Sequence, residues 1–208
     1  RTDIVCGILL FSEGFSMEKT KTKVLAECGI LIALAAVLSL IKVFKLPWGG
    51  SITLLSMLPI CLISIRHGVK TGLFSSFVYA VIQLLFGILF DGLFGWGLTA
   101  GALISCILLD YIIAFTVLGL AGMFADKGMG GVIGGTVLAV FLRFVSHVFS
   151  GVFVFASAGK LLEGFDTSNS WLYSIVYNGC YMLPELILTC IGAVIVYEAV
   201  FKATKMKY

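Results

Sequence analysis

Charge is scarce in this chain. Only 12% of its 208 residues are Asp, Glu, Lys or Arg, against 60% hydrophobic, whereas a soluble domain carries about 25% charged and 45–50% apolar residues. That deficit excludes a water-soluble globule. Proline is also rare, with three residues, which leaves long apolar runs. These runs lack the period-two alternation of a transmembrane barrel strand, so the spans are helices. Cysteine pairs are missing too: Cys6, Cys28, Cys61, Cys106, Cys180 and Cys190 stand singly, with no CxxC. They read as small packing residues, neither a disulfide framework nor metal ligands. With no GxxxxGK[ST] loop and no HExxH, the chain has no means of spending ATP and no signature of a zinc hydrolase. No metal, cofactor or nucleic acid is expected.

What is present is an all-α integral membrane protein of six helices. Residues 1–16, RTDIVCGILLFSEGFS, hold an apolar patch broken by Glu13 and lack the lysine-rich start and cleavage site of a signal peptide. Because MEKTKTK from Met17 resembles a natural start, residues 1–16 are expected to be a non-native or disordered extension, and 17–208 a single membrane domain. The expected helices span Val24–Phe44, Ile52–Ile65, Thr71–Phe90, Thr99–Phe124, Val132–Ala158 and Trp171–Phe201. The second is short for a bilayer and contains Pro59, which predicts a kinked or partly re-entrant segment. Helix 1 repeats small residues at Ala26, Gly29, Ala33 and Ala36, a stripe that lets another helix approach. Lys19, Lys21, Lys23, Arg66, Lys70, Lys127, Lys202, Lys205 and Lys207 fall on the side of the termini, and only Lys42, Lys45 and Lys160 opposite. The positive-inside rule therefore predicts cytoplasmic N- and C-termini.

The run TVLAVFLRFVSHVFSGVFVFA, from Thr136 toward Ala158, is apolar enough for lipid yet carries Arg143 and His147. A cation at the bilayer centre costs roughly 2.5–3.5 kcal/mol on insertion scales, so such groups face a protein interior or a wet cavity. Asp110, about eleven residues past Thr99, falls roughly 16 Å below the outer surface at 1.5 Å per residue, and His147 at a similar level. An Asp110–Arg143 ion pair that only fastens two helices explains these charges as readily as a ligand site does. Tyr111, Phe144, Tyr173, Tyr177 and Asn178 tilt the balance, because rings with a few convergent polar groups make a small-molecule cavity. A carboxylate among aromatic faces suits a flat, cationic or amine-bearing ligand. Glu185, after Pro184, reads as a structural hydrogen bond to a kinked neighbour, and Tyr79 and Gln83, on one face of helix 3, read first as links between helices and second as part of the cavity.

The runs PWGGSITLLSMLPICLISIRHG, LLDYIIAFTVLGLAGMF, LRFVSHVFSGVFVF and YSIVYNGCYMLPE, in this order, resemble the thiamine-specific S components of energy-coupling factor (ECF) transporters over about Val24 to Phe201. The resemblance implies a multi-pass protein of the bacterial plasma membrane, not an enzyme. It would bind thiamine with high affinity from outside and deliver it through a separate transmembrane coupling subunit and two cytoplasmic ATPases. The implied ligand contacts are Trp48, Asp110, Tyr111, Arg143, His147, Phe155, Tyr173 and Asn178, with Gly29 and Ala33 docking the coupling subunit. Asp110 stands where the family carries glutamate, Arg143 where it carries lysine, and Phe155 where a tryptophan stacks on the ligand. Other readings are an S component for another small heterocyclic vitamin or precursor, a proton-coupled secondary transporter using Asp110, and an intramembrane enzyme using Asp110 with His147. The missing inverted repeat and the lack of a nucleophile in a recognisable setting count against the last two.

Overall fold

The structure, a computed structural model, describes residues 2–46, 50–156, 159–162 and 165–202, with side chains described for 21–44, 46, 50–156 and 166–199. Helix α1 (Thr2–Leu40) is followed by strands β1 (Lys42–Lys45) and β2 (Ser51–Thr53), then α2 (Leu58–His67) and α3 (Val69–Leu89). Helix α4 (Ala100–Leu120), α5 (Met129–Phe153), strands β3 (Gly159–Leu162) and β4 (Phe165–Thr167), and α6 (Ser170–Val196, continued as a wider turn through Lys202) complete the order. Among the described residues, five helices are long and apolar enough to cross a membrane: Lys21–Leu40 within α1, α3, α4, α5 and Ser170–Ala199. The six-helix architecture expected from the apolar runs is the one observed.

Three local expectations are corrected. Helix 1 stops at Leu40 instead of Phe44, because KVFK leaves the helix to pair antiparallel with Ser51–Thr53, Lys45 facing Ser51 and Lys42 facing Thr53. The second helix begins at Leu58, not Ile52, and Pro59 sits in its first turn, where a missing N–H costs nothing. Pro59 starts α2 and does not kink it. Helix 5 ends at Phe153, short of Ala158, and Ala156 takes a φ of 44°.

Helix α2 is the buried centre: Ile60, Cys61, Ile63 and Ser64 have no exposed surface and Ile65 almost none. At ten residues it is about 15 Å long, so the extended segment from Ser51 completes its half of the bundle. α5 packs most extensively against α6, and α3 against α2 and α4. Two glycines permit the close approaches that the site depends on. A Cβ on Gly151 of α5 would collide with Ser174 of α6, and a Cβ on Gly87 of α3 with the ring and hydroxyl of Tyr111 on α4. Near the opposite end from the hairpins, Arg66 Nη2 donates to Glu27 Oε1 at 3.1 Å and His67 Nε2 lies 3.0 Å from Glu27 Oε2, tying α1 to the end of α2.

Candidate functional site

A cavity of about 450 Å³ opens between the β1–β2 hairpin, the α3–α4 loop and helices α3 to α6. Its volume lies within the roughly 300–1,000 Å³ of small-molecule pockets. Of the residues expected at a ligand site, Asp110, Tyr111, Arg143, His147, Phe155, Tyr173 and Asn178 all line this one cavity. Trp48 lies outside the described residues.

The polar centre is a relay between α4 and α5. His147 Nδ1 is 2.8 Å from Asp110 Oδ1, and Arg143 Nε donates to His147 Nε2 at 3.3 Å. Since Nε2 accepts, the imidazole is neutral with its proton on Nδ1, which donates to Asp110. The direct Asp110–Arg143 ion pair weighed from sequence is replaced by this chain through the imidazole. Asp110 Oδ2 also accepts from Ser150 Oγ and from Cys106 Sγ at 3.3 Å. Arg143 stacks its guanidinium 4.2 Å above the Phe115 ring centroid, an arrangement in which the ring quadrupole attracts the cation.

Local backbone makes the relay possible. Asp110 and Tyr111 sit in a π-helical turn, Ile107–Ile113, and such wide turns recur at functional sites because they re-aim side chains. Ser146 of α5 donates to the Leu109 carbonyl inside that turn at 2.6 Å. On α5, Arg143, His147, Ser150 and Gly151 fall three or four residues apart and so share one face.

The α6 wall is aromatic. Tyr173 and Tyr177 stack with centroids 6.2 Å apart at 12°, Tyr177 meets Tyr181 edge-on at 5.9 Å, and Tyr181 meets His147 at 6.3 Å. Asn178 is buried among them. Its amide donates to the Ser174 carbonyl at 2.8 Å and its Oδ1 accepts from Tyr181 Oη at 2.7 Å. The amide also lies 3.1 Å from Ser174 Oγ, so both its hydrogens are engaged, and a ligand donor can reach Asn178 without exchange only at the second lone pair of Oδ1. Phe155 stands at the mouth, 37% exposed, with Trp96 of the α3–α4 loop 6.1 Å away.

Sequence reasoning passed over Trp96, Lys42 and Asp91 as lining groups and gave Glu185, Tyr79 and Gln83 first of all a structural role. Trp96 is an aromatic residue in a glycine-rich loop, as is Trp48 in PWGGS, which entered through the family resemblance. Lys42 Nζ donates to both Asp91 oxygens, at 3.0 and 3.2 Å, joining β1 to the start of the α3–α4 loop. Glu185, an ionisable residue inside a span, gives the same signal as Asp110. Its hydrogen-bond partner is Thr53 of β2, with Oε1 accepting from Thr53 Oγ1 at 2.7 Å and from the Thr53 N–H. Tyr79 and Gln83 line the cavity as well.

A family model described as thiamine transporter protein matches residues 25–205. The thiamine transporter ThiT of Bacillus subtilis is 35% identical over 190 residues, covering 84% of this chain and 91% of that protein. ThiT of Lacticaseibacillus paracasei is 26% identical over 149 residues, covering 65% and 67% respectively. Among solved structures, ThiT from Listeria monocytogenes superposes with a TM-score of 0.68 at 25% identity, covering 88% of this chain and 97% of that one.

Proposed function

This chain belongs to the thiamine transporter protein family, and from that premise we propose that its cavity captures thiamine from outside the cell as the S component of an ECF importer. The protein is a multi-pass bacterial membrane protein of a transport family, not an enzyme. The observation that carries the ligand reading is the Asp110–His147–Arg143 relay set in the wall of a tyrosine-lined cavity.

Thiamine joins an aminopyrimidine to a cationic thiazolium, and each half meets a complementary feature. Asp110 supplies acceptor oxygens for the pyrimidine amine, and His147 fixes that carboxylate's orientation by donating to its other face. The tyrosines and Phe155 offer π-faces, which attract a cationic ring. Trp48, which falls between β1 and β2 in the sequence, is proposed to stack on the thiazolium opposite His147. Arg143 holds His147 in the tautomer that donates to Asp110 and keeps its own charge over Phe115, away from the thiazolium.

Transport then requires a motor elsewhere. We propose that α1 presents Gly29 and Ala33 to a transmembrane coupling subunit served by two cytoplasmic ATPases, with the N- and C-termini on the ATPase side. Ala26, Gly29 and Ala33 are exposed on α1 beside Leu25, Ile30 and Val37, and a Cβ on Gly29 would meet nothing within 4 Å. Residues 17–208 form the domain proposed to carry all of this.

Thiamine added to the purified protein is expected to quench tryptophan fluorescence saturably through Trp48 and Trp96. The pyrimidine and thiazole halves, added separately, should bind more weakly than the whole. Fluorescence unchanged by thiamine but quenched by another heterocyclic vitamin would reassign the ligand.

A further inference from the structure

Glu185 is buried to 3% exposure in the middle of α6, yet none of its described hydrogen bonds goes to a neighbouring helix. Its Oε1 takes both donors of Thr53, the backbone N–H and Oγ1, and Thr53 Oγ1 lies 2.6 Å from Ser56 Oγ. One turn up the same face, the ring of Tyr181 lies where a Cβ on Gly50 would come within 2.9 Å. A further turn up, Tyr177 Oη accepts from the Gly50 N–H at 3.0 Å. Tyr177, Tyr181 and Glu185 recur every four residues, so they form one ledge along α6, and the β2 side of the hairpin rests on it. Gly50, Ser51 and Thr53 line the cavity from that seat.

Two further features mark this contact as a fastening under load. Leu55, two residues past Thr53, has a φ of 59°, a left-handed conformation that disfavours a side chain such as leucine and persists only where neighbours over-determine it. The second oxygen, Glu185 Oε2, is buried with no hydrogen-bond partner among the described residues, where the hydrogen bonds that hold the carboxyl group come from the hairpin.

We propose that Glu185 is a positioning residue: through Thr53 it seats the β1–β2 hairpin on the α6 ledge, and so sets how long a ligand stays in the cavity. The inference rests on the thiamine reading for its ligand, but the seating itself needs no ligand. The ledge helix also carries Tyr173 and Asn178 on the cavity wall, so occupancy of the cavity and seating of the hairpin act on one rigid element. Lys42–Asp91 fastens the other strand to the α3–α4 loop, and opening the hairpin must break both ties.

The test uses the full chain in lipid nanodiscs, with stopped-flow dissociation of thiamine and backbone hydrogen exchange of residues 50–54 without ligand. Glu185→Ala is expected to speed dissociation roughly ten- to hundredfold, as loss of hydrogen bonds to a carboxyl group implies, and to accelerate exchange at Thr53. Glu185→Gln, which keeps an acceptor oxygen, should restore both toward wild type and shows that the site tolerates change. In a Thr53→Val background, Glu185→Ala should have a smaller effect, because the two act through one contact. Unchanged exchange at Thr53 in Glu185→Ala overturns the proposal. So does a dissociation effect that stays fully additive with Thr53→Val, which would place Glu185 directly on the ligand. Absence of thiamine binding to the wild type would instead remove the functional reading, while the exchange measurement still judges the seat.

Discussion

Asp110 accepts from three neighbours, His147, Ser150 and Cys106, and still faces the cavity. Removing its carboxylate takes away the group proposed to hold the aminopyrimidine. Asp110→Ala should therefore weaken thiamine binding roughly ten- to hundredfold, the loss that a charge-assisted hydrogen bond of about 1.5–3 kcal/mol implies. Equilibrium fluorescence titration reads it directly, and unchanged affinity would take Asp110 out of the site. Phe155 makes the opposite prediction. It stands half-open at the mouth beside Trp96, and a larger ring there adds stacking area. Phe155→Trp should tighten binding roughly two- to tenfold, in line with about 0.5–1.5 kcal/mol per aromatic pair; weaker binding would mean that the mouth has no room for the indole. At this scale the sequence was readable wherever an ionisable or aromatic residue interrupted an apolar run, which is how Asp110, Arg143 and His147 were singled out. Glu185 gave the same signal, but its partner Thr53 lies 132 positions away in the chain, and no local pattern encodes that distance.

The bundle's elements meet where side chains vanish. Gly151 lets α5 lie against Ser174 of α6, whose Oγ donates to the Val148 carbonyl at 3.0 Å. An added methyl group has no free volume there, so Gly151→Ala should force α5 and α6 apart and lower stability by about 1–3 kcal/mol, the usual cost of overpacking. A thermal melt in detergent would show a lower midpoint, and an unchanged one would mean that the interface yields freely. Because Gly151 also lines the cavity, affinity should fall with stability. Long apolar runs made the six helices legible from composition alone. The hairpin was not legible: Lys42–Lys45 continues the hydrophobic run of α1, and only pairing with Ser51–Thr53 turns it into a strand. The π turn around Asp110 was equally hidden, since ILLDYII has the composition of an ordinary helix and its widening answers to the packing of α5.

Across the whole molecule, two surfaces divide the proposed labour: the cavity captures, and the exposed stripe of α1 docks. They should separate by mutation. Replacing Gly29 and Ala33 together with tryptophan should leave thiamine affinity unchanged while abolishing co-purification of ATPase subunits and cellular uptake; retained uptake would move the docking surface elsewhere. The wider claim is that side chains from separate spans converge on one vitamin-sized hollow. Calorimetric titration of the purified chain with thiamine tests it most directly. The account predicts saturable one-to-one binding that Asp110→Ala severely weakens, whereas no heat of binding from wild-type protein, or equal heats from wild type and Asp110→Ala, would contradict it.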